Sequence, residues 1–342
     1  MRFVLVACDG GARDALKPVG DALDVALEDI ASAECADEAY WRKRFANAVA
    51  SVLVVGTSDS DRGRRVESAA RRSARAAGFP VVAIEDFPGN YSDVRGGKAS
   101  LAIVESLPAR ELCVQKLGRL APPCEVLSPA RYDVYRARLA ELRKATEARW
   151  RLQNARSPRV LWAGQPETAD CLRTLNALVP ALRPCGASVM LKAHPRDPGY
   201  ADGSYQKLLE DAAIAYEDMT ALSVTDALAA GPRLVITQFS SVAIEAGFYG
   251  IPGLCVLLPD AGGARLREKK GYAVPPFCTA GAVDVVSSAK SVEPSLRRLL
   301  SDASFRDHLL RSFDDYFDVH ASATQKLVSR LNTLARAVPG QH

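Results

Sequence analysis

Short apolar runs alternate with longer amphipathic stretches along most of this chain of 342 residues. The runs are rich in Val, Ile and Leu, as is typical of strands buried on both faces of a parallel sheet. The stretches between them carry apolar residues at helical spacing. Such alternation is the pattern of βαβ units, so the sequence predicts an α/β fold with parallel sheets.

The first half of the chain contains a clear strand and helix series. Its best-marked helix is expected over residues 60–77, where Val66, Ala70, Ala74 and Ala77 form an apolar stripe. Strands are expected over residues 3–7, 52–56, 81–84 and 101–104.

A second series begins near residue 160, after a strongly charged helical segment. Strands are expected over residues 160–163, 189–192, 234–237 and 254–257, and a helix over 168–182. The last segment, 304–337, is expected to form one long helix that crosses back to the first domain. The chain is too long for one ordinary core. We therefore predict a first domain over 1–128, a helical connection over 129–157, a second domain over 158–303 and a terminal helix over 304–337.

The composition is that of a soluble globular protein, with 48% hydrophobic and 25% charged residues. A net charge of +4 gives no reason to expect nucleic-acid binding. No apolar run reaches the roughly 18 residues that span a bilayer, and Asp9 interrupts the first apolar run too early for a signal peptide. The eight cysteines are scattered without a CxxC pair and there are only four histidines, so we expect no structural zinc and a cytoplasmic location.

Two serines at the end of a buried strand are the most informative local feature. Ser240 and Ser241 follow the strand 234–237 and Gln238, and a helix is expected at once. We expect Gln238 and both serines, together with Lys192 and Arg196, to be nucleotide contacts. Backbone N–H groups at such a turn bind phosphate without a charged side chain. Serine also caps helices very often, so the turn alone leaves both interpretations open. Glu245 lies one turn into the helix, where its carboxylate could accept ribose hydroxyls or be stabilised by the helix N-terminus.

A second cluster of polar residues follows the strand 189–192. Lys192 and His194 are expected on the same side, and Arg196 adds a third cation-capable side chain. The carboxyl ends of strands in open α/β sheets line the ligand crevice. His194 could therefore donate to a phosphate oxygen of a nucleotide, although a lone histidine is often structural. Gly164 and Gln165, after the strand 160–163, could contact the ligand through their backbone.

Loops of the first half supply candidate acids and substrate ligands. Asp86 follows Glu85 at the end of the strand 81–84, and Asp9 ends the first strand. Either carboxylate could act as a general base on an acceptor hydroxyl, or simply be a solvated acid in a turn. The accompanying residues that could contact a sugar or acceptor are Gly10, Thr57, Ser58, Asn90 and Tyr91.

Together these motifs resemble the GT-B superfamily, which includes nucleotide-sugar glycosyltransferases and UDP-N-acetylglucosamine 2-epimerases. The pair His194-Pro195, the pair Ser240-Ser241 followed by Glu245-Ala246, and Gly250-Ile251-Pro252 are similar to motifs of bacterial surface-polysaccharide transferases. The resemblance implies two Rossmann-like domains facing a central cleft, with a terminal helix returning to the first. It further implies that His194, Ser240 and Ser241 contact the nucleotide phosphate and that Glu245 holds the ribose.

The function implied is a metal-independent glycosyltransferase that moves a sugar from a nucleotide donor to a glycan or lipid-linked acceptor. The resemblance also implies no bound cofactor, since the nucleotide sugar is the co-substrate. Peripheral contact with the inner face of the membrane would suit such an acceptor. Two alternatives stay open: a UDP-N-acetylglucosamine 2-epimerase-like enzyme and a non-catalytic protein that binds a nucleotide sugar. The acid pair expected in the first domain of sialyltransferase-like relatives has no clean match here, and Gln238 replaces an acidic residue found in many relatives.

Overall fold

The computed structural model describes residues 2–46, 51–91, 97–153 and 157–337. It divides the chain into two compact units. The first comprises Met1–Val134 together with His320–His342, and the second comprises Tyr135–Val319. Each unit is an α/β layer structure with its own parallel sheet, as the alternating sequence pattern predicts.

The first unit is built on a five-stranded parallel sheet with the order β1-β2-β3-β4-β5. Its strands are β1 (Arg2–Val6), β2 (Ser51–Val55), β3 (Val81–Ile84), β4 (Leu101–Val104) and β5 (Cys124–Val126). Its helices include α1 (Gly10–Leu23), α2 (Glu38–Ala46), α3 (Asp61–Ala76) and α4 (Leu107–Leu117). Short 3-10 turns lie at Ala33–Ala36, Gly118–Leu120 and Ala130–Tyr132. Leu27 forms a parallel bridge with Leu5, so the segment after α1 lies on the edge of β1 opposite β2.

The second unit carries a six-stranded sheet with the order β11-β10-β9-β6-β7-β8. Its strands are β6 (Arg159–Ala163), β7 (Ser188–Lys192), β8 (Tyr216–Asp218), β9 (Leu234–Thr237), β10 (Gly253–Val256) and β11 (Asp284–Val286). After α5 (Asp133–Arg136), which crosses the boundary between the units, its helices are α6 (Leu139–Leu152), α7 (Thr168–Leu182), α8 (Pro198–Ala201), α9 (Ser204–Asp211), α10 (Val224–Ala229), α11 (Val242–Phe248), α12 (Gly262–Lys270), α13 (Pro276–Thr279), α14 (Ala289–Ser301) and α15 (Ala303–Phe317).

Helices cover both faces of each sheet, and alternate strand residues enter opposite cores. In the first unit Leu5 packs towards α1, whereas Val4 and Val6 pack with residues of α2 and α3. In the second unit Leu191 packs towards α7 and α14, whereas Met190 packs towards α6, α10 and α11. Successive side chains of a strand point to opposite faces of the sheet, so the position of a residue in its strand determines which face its side chain is on.

The terminal segment forms two helices rather than the single helix expected over 304–337. The helix α15 ends at Asp318, whose φ of 46° is left-handed and cannot continue a right-handed helix. A new helix, α16 (Ala323–Arg336), then begins after Ser322, whose side chain accepts the N–H of Gln325. The apolar residues of α16, including Leu327 and Leu331, enter the core of the first unit beside α1.

The charged segment 129–157 is also divided. The helical connection expected there is broken at Arg138, where φ is −120° and ψ is 14°. From Tyr135 onward the segment belongs to the second unit, because Leu142 of α6 packs in the core shared with α10 and α11. Four expected elements, 81–84, 101–104, 168–182 and 234–237, have the predicted bounds.

Candidate functional site

The strand order of the second unit creates a crevice between β6 and β9. From β6 the chain moves to β7 and β8 on one side, then returns to β9, β10 and β11 on the other. Loops that leave two neighbouring strands in opposite directions separate at the carboxyl ends of those strands. Open α/β sheets bind ligands in the crevice that forms there. The loops concerned are Gly164–Gln165 after β6 and Gln238–Ser241 after β9.

The loop after β6 lies against the loop after β7, which carries His194. A β carbon on Gly164 would lie 3.6 Å from the backbone nitrogen of His194, and the N–H of Gly164 donates to Lys192 O at 2.9 Å. The next residue, Gln165, is held by Cys171, whose sulfur accepts the Gln165 N–H at 3.2 Å. Gly164, Gln165 and His194 therefore line one side of the crevice.

The serine turn on the other side offers fewer free N–H groups than its sequence suggests. Ser241 already has helical backbone angles, with φ of −59° and ψ of −16°. The N–H groups of Ala243, Ile244 and Glu245 consequently donate to the carbonyls of the two serines. Among the described residues, no hydrogen bond is donated by the N–H groups of Ser240 and Ser241. The backbone N–H groups that this turn offers to an anion are thus those of Ser240 and Ser241.

Glu245 is oriented by a residue that the sequence pattern did not indicate. The hydroxyl of Tyr135 donates to Glu245 Oε2 at 2.7 Å, and Ser241 Oγ lies 3.4 Å from Oε1. Burial and the Glu245 carboxylate raise the pKa of Tyr135, so its hydroxyl stays protonated and remains a donor. No local signal connects two residues 110 positions apart.

His194 is half-buried and neutral in this structure. Partial burial, and after it the charge of Arg196, lower the pKa of its imidazole, against the opposing carboxylates of Glu167 and Asp197. Its Nδ1 accepts the N–H of Arg196 at 3.1 Å. A neutral imidazole that accepts at Nδ1 carries its proton on Nε2, so that nitrogen is a hydrogen-bond donor. The imidazole can donate to an anion but does not itself supply positive charge.

A buried polar network holds the turn after His194, and the sequence analysis missed it. The carboxylate of Asp197 accepts hydrogen bonds from Thr168 Oγ1, from Tyr205 OH and from the N–H of Gly199. The N–H of Asp197 donates to His194 O at 2.9 Å. Asp197 directly before Pro198 is a helix N-cap signal, and this local cue was available in the sequence.

Lys192 and Gln238, which were expected to contact the nucleotide, are instead buried and hydrogen-bonded to other residues of the second unit. Lys192 is 8% exposed, and its ammonium donates to Leu222 O. Burial lowers the pKa of Lys192. Gln238 is fully buried, and its Nε2 donates to Thr174 Oγ1 at 2.9 Å. Arg196 differs from both, because it is exposed.

In the first unit Asp86 lies within a small polar cluster. Its Oδ1 accepts hydrogen bonds from Thr57 Oγ1 at 2.6 Å and from Asn90 Nδ2 at 2.9 Å. Its Oδ2 lies beside the start of α1, since a β carbon on Gly11 would approach this oxygen to 2.7 Å. The segment of Leu27 lies on one side of β1, and the remaining strands lie on the other. The corresponding switch point of this sheet is therefore between β1 and β2. The structure thus brings together Thr57, Asp86, Asn90 and Gly11, whereas a β carbon on Gly10 would meet no heavy atom within 4 Å.

Asp9 and Ser58 tie the neighbouring loops together instead of facing solvent as free groups. Asp9 Oδ2 accepts the N–H groups of Asp59 and Ser60, both at 2.8 Å, and Oδ1 accepts Ser60 Oγ at 2.5 Å. Ser58 is 3% exposed, and its hydroxyl donates to Glu67 Oε1 at 2.6 Å. Burial raises the pKa of Glu67 to about 7. Because donors occupy both oxygens of Asp9, this residue is a poorer candidate for a base than Asp86.

Tyr91 is likewise a core residue and not a surface contact. It is 2% exposed, and its hydroxyl accepts the N–H of Ala99 at 3.0 Å. Glu85 beside Asp86 accepts the N–H groups of Gly89 and Tyr91 at 2.9 and 3.1 Å. Burial raises the pKa of Glu85 to about 8. These two residues shape the turn that carries Asp86 and Asn90.

The fold has many counterparts among solved structures. A UDP-GlcNAc 2-epimerase from Neisseria meningitidis, solved with UDP-GlcNAc bound, matches with a TM-score of 0.64 and 11% identity over 97% of this chain and all of that chain. HepE from Anabaena, in complex with UDP and glucose, matches with a TM-score of 0.60 and 15% identity over 97% and 100% of the two chains. MurG from Acinetobacter baumannii gives 0.60 and 13% over 97% and 99%. This chain has the GT-B fold.

At these identities the likeness establishes the GT-B fold alone. No protein-family model matches the chain, and no curated protein sequence matches it significantly. In the described part of this GT-B chain, no group of three or more His, Cys, Asp or Glu side chains is arranged to hold a metal ion. None of the described helices combines the length and apolar character needed to cross a bilayer.

Proposed function

We propose that this GT-B protein is a glycosyltransferase that moves a sugar from a nucleotide donor to a hydroxyl of a glycan or lipid-linked acceptor. The observation that carries the proposal is the strand order β11-β10-β9-β6-β7-β8 of the second unit. This order puts Gly164, Ser240 and Ser241 at the switch point, where α/β sheets bind nucleotides, and the loop after β7 carries His194 beside Gly164. Bacterial surface-polysaccharide assembly, the setting of the transferases with similar motifs, is the proposed biological context.

The nucleotide phosphate would be held by neutral donors and one exposed cation. Nε2 of His194 donates to a phosphate oxygen, and the N–H groups of Ser240 and Ser241 donate to the same group. Since His194 is neutral, the negative charge on the departing nucleotide has to be balanced by another residue. Arg196, exposed two residues further on, is the proposed source of that charge. Glu245, oriented by Tyr135, accepts the ribose hydroxyls.

In the proposed reaction Asp86 is the general base. Its Oδ2 takes the proton of the acceptor hydroxyl while the acceptor oxygen bonds to the anomeric carbon of the sugar. The bond from that carbon to the nucleotide phosphate breaks, and the electron pair leaves with the phosphate. Oδ1 is fixed by Thr57 and Asn90, so the carboxylate is already oriented before the acceptor binds. No resident cofactor or metal is needed for this step.

Binding of nucleotides provides the first test. We expect one nucleotide, among CMP, CDP, UDP and GDP and their sugars, to raise the melting temperature, because a ligand that binds only the folded state stabilises it. His194→Ala should weaken this binding at least tenfold and remove most turnover. His308→Ala is the matched control, since His308 is exposed on α15 of the same unit. A protein that binds none of these nucleotides would refute the proposal.

An epimerase-like activity is the second candidate, because several structural neighbours carry that name. Incubation with UDP-N-acetylglucosamine alone separates the two, since such an epimerase releases UDP when no acceptor is present. Transfer that depends strictly on an acceptor favours the glycosyltransferase. Tight binding with no turnover of any donor would instead favour a non-catalytic nucleotide-sugar-binding protein.

A further inference from the structure

Two cysteines of the first unit lie side by side, far along the chain from the loops of the candidate site. Cys113 is on α4, and Cys124 is the first residue of β5. Their sulfur atoms are 3.7 Å apart. Cys113 is 4% exposed, whereas Cys124 is half-buried and therefore within reach of small solutes. The pair thus combines an accessible sulfur with a buried partner at contact distance.

The surroundings of Cys124 favour its thiolate. The hydrogen bond between the two thiols, and the positive charges of Arg110 and Lys98, lower the pKa of Cys124 to about 7 against the opposing effect of burial. The thiolate is the nucleophilic form of cysteine, and nearby arginine and lysine are the usual cause of reactive thiols.

The second unit contains an internal comparison. Cys255 and Cys278 also interact, but both are buried, at 0% and 6% exposure. Burial and the neighbouring Cys255 raise the pKa of Cys278. This pair also interacts, but it lacks solvent access and stabilising cations. Proximity and reactivity can therefore be tested separately within one molecule.

The position of β5 allows the movement that a bond would require. A disulfide has a sulfur–sulfur distance of about 2.05 Å, so the two sulfurs must approach each other from 3.7 Å. The strand β5 is short and lies at the edge of its sheet, where β4 is its one partner among the strands that the structure describes. An edge strand can shift without breaking the pairing of two neighbours.

We propose that Cys124 is a peroxide-reactive thiol and that Cys113 is its resolving partner, so that oxidation joins α4 to β5 by a reversible disulfide. The sulfur of the Cys124 thiolate attacks one oxygen of hydrogen peroxide, the O–O bond breaks, and hydroxide leaves and is protonated to water. The sulfur of Cys113 then attacks the resulting Cys124 sulfenic acid. The S–S bond forms, the S–O bond breaks, and a second water leaves with the Cys113 proton. Two thiols are oxidised and one peroxide is reduced.

The experiment follows each thiol of the reduced full-length protein by peptide mass spectrometry during treatment with hydrogen peroxide at pH 7.5. We expect a peptide pair joined through Cys113 and Cys124, a loss of two hydrogens, and complete reversal by dithiothreitol. Cys185, half-buried and with a pKa raised by burial, is the internal reference thiol. Cys124 should be consumed at least tenfold faster than Cys185, and the pair Cys255 and Cys278 should stay reduced.

Single substitutions separate the two roles. In Cys113→Ser the sulfenic acid cannot be resolved, so dimedone should label Cys124; in Cys124→Ser no dimedone label should appear at Cys113. Equal rates at Cys124 and Cys185, or the absence of the joined peptides in the oxidised natural protein, would overturn the proposal. Because these two measurements use the unsubstituted chain, they decide the question even if a variant folds poorly.

Discussion

Two adjacent glycines at the start of α1 have different surroundings, because Gly11 lies against the carboxylate of Asp86 and Gly10 does not. A β carbon on Gly10 would have no heavy atom within 4 Å, whereas one on Gly11 would lie 2.7 Å from Asp86 Oδ2. Neither glycine has a positive φ. The requirement for glycine at Gly11 therefore comes from close approach and not from backbone conformation.

We predict that Gly11→Ala lowers the free energy of unfolding by about 1–3 kcal/mol, because the added methyl group must displace the carboxylate. Gly10→Ala should leave it unchanged or raise it by up to about 1 kcal/mol, since alanine loses less chain entropy on folding. Urea unfolding of both variants measures the difference. Equal effects would mean that Asp86 does not pack on α1 as described.

His194 shows how its surroundings change the chemistry expected of a side chain. The sequence suggests a cation-capable residue beside the nucleotide, whereas burial and Arg196 keep this imidazole neutral. In the proposed site His194 therefore supplies a hydrogen-bond donor, and Arg196 supplies the positive charge. Only the neighbours assembled by the fold could reveal that division.

At the scale of elements, α16 depends on a cap supplied from a distant part of the chain. Asp133 accepts hydrogen bonds from the N–H groups of Ala323 and Thr324, at 3.1 and 2.7 Å, and from Ser322 Oγ. A carboxylate at a helix N-terminus satisfies donors that have no partner within the helix. This capping explains how a helix separated from α15 by a left-handed residue is fixed in the first unit.

We predict that Asp133→Ala lowers the free energy of unfolding by about 1–3 kcal/mol, because buried N–H donors lose a charged acceptor. Asp133→Asn keeps an acceptor oxygen and should cost less. Asp315→Ala, at an exposed position of α15, is the matched control and should change stability by less than about 0.5 kcal/mol. Hydrogen exchange should show faster exchange of α16 amides in Asp133→Ala alone. Unchanged exchange there would show that the cap contributes nothing.

At the scale of the whole molecule, the two units have separate cores, and the first carries buried acids whose ionisation opposes folding. Burial raises the pKa of Glu85 to about 8 and that of Glu67 to about 7. Glu105 and Asp86 add to the repulsion around Glu85. A folded-state pKa above that of the unfolded chain means that the folded state binds more protons. Stability is therefore lost as pH rises from about 4.5 towards 8.

We predict that the first unit becomes less stable between pH 5 and pH 8, by an amount on the order of 3 kcal/mol for Glu85 at pH 7. Glu85→Gln should flatten this dependence and be more stable than the natural protein at pH 8. Glu111→Gln, at an exposed position of α4, should keep the natural slope. Urea unfolding followed by hydrogen exchange of peptides from β1 and β2 measures the first unit separately. A slope that Glu85→Gln leaves unchanged would contradict the burial argument.

The strands could be located from the sequence because their signal is local. The strands β3, β4 and β9 and the helix α7 have the expected bounds, since short apolar runs between turn residues have few alternatives. The terminal helix was predicted wrongly because an aspartate in the left-handed conformation leaves little trace in an amphipathic pattern. The break at Arg138, directly before α6, likewise leaves little trace in the amphipathic pattern.

The sequence by itself determined the α/β class, the positions of most strands and the loops that carry His194, Ser240, Ser241 and Asp86. Those features depend on hydrophobic periodicity and on residues at strand ends, which act over a few positions. The tertiary structure alone decided that Lys192, Gln238, Ser58 and Tyr91 are buried structural residues and that Tyr135 orients Glu245 of the candidate site. Burial and hydrogen-bond partners are set by segments far apart in the chain, so no local pattern could distinguish a ligand contact from a buried structural one.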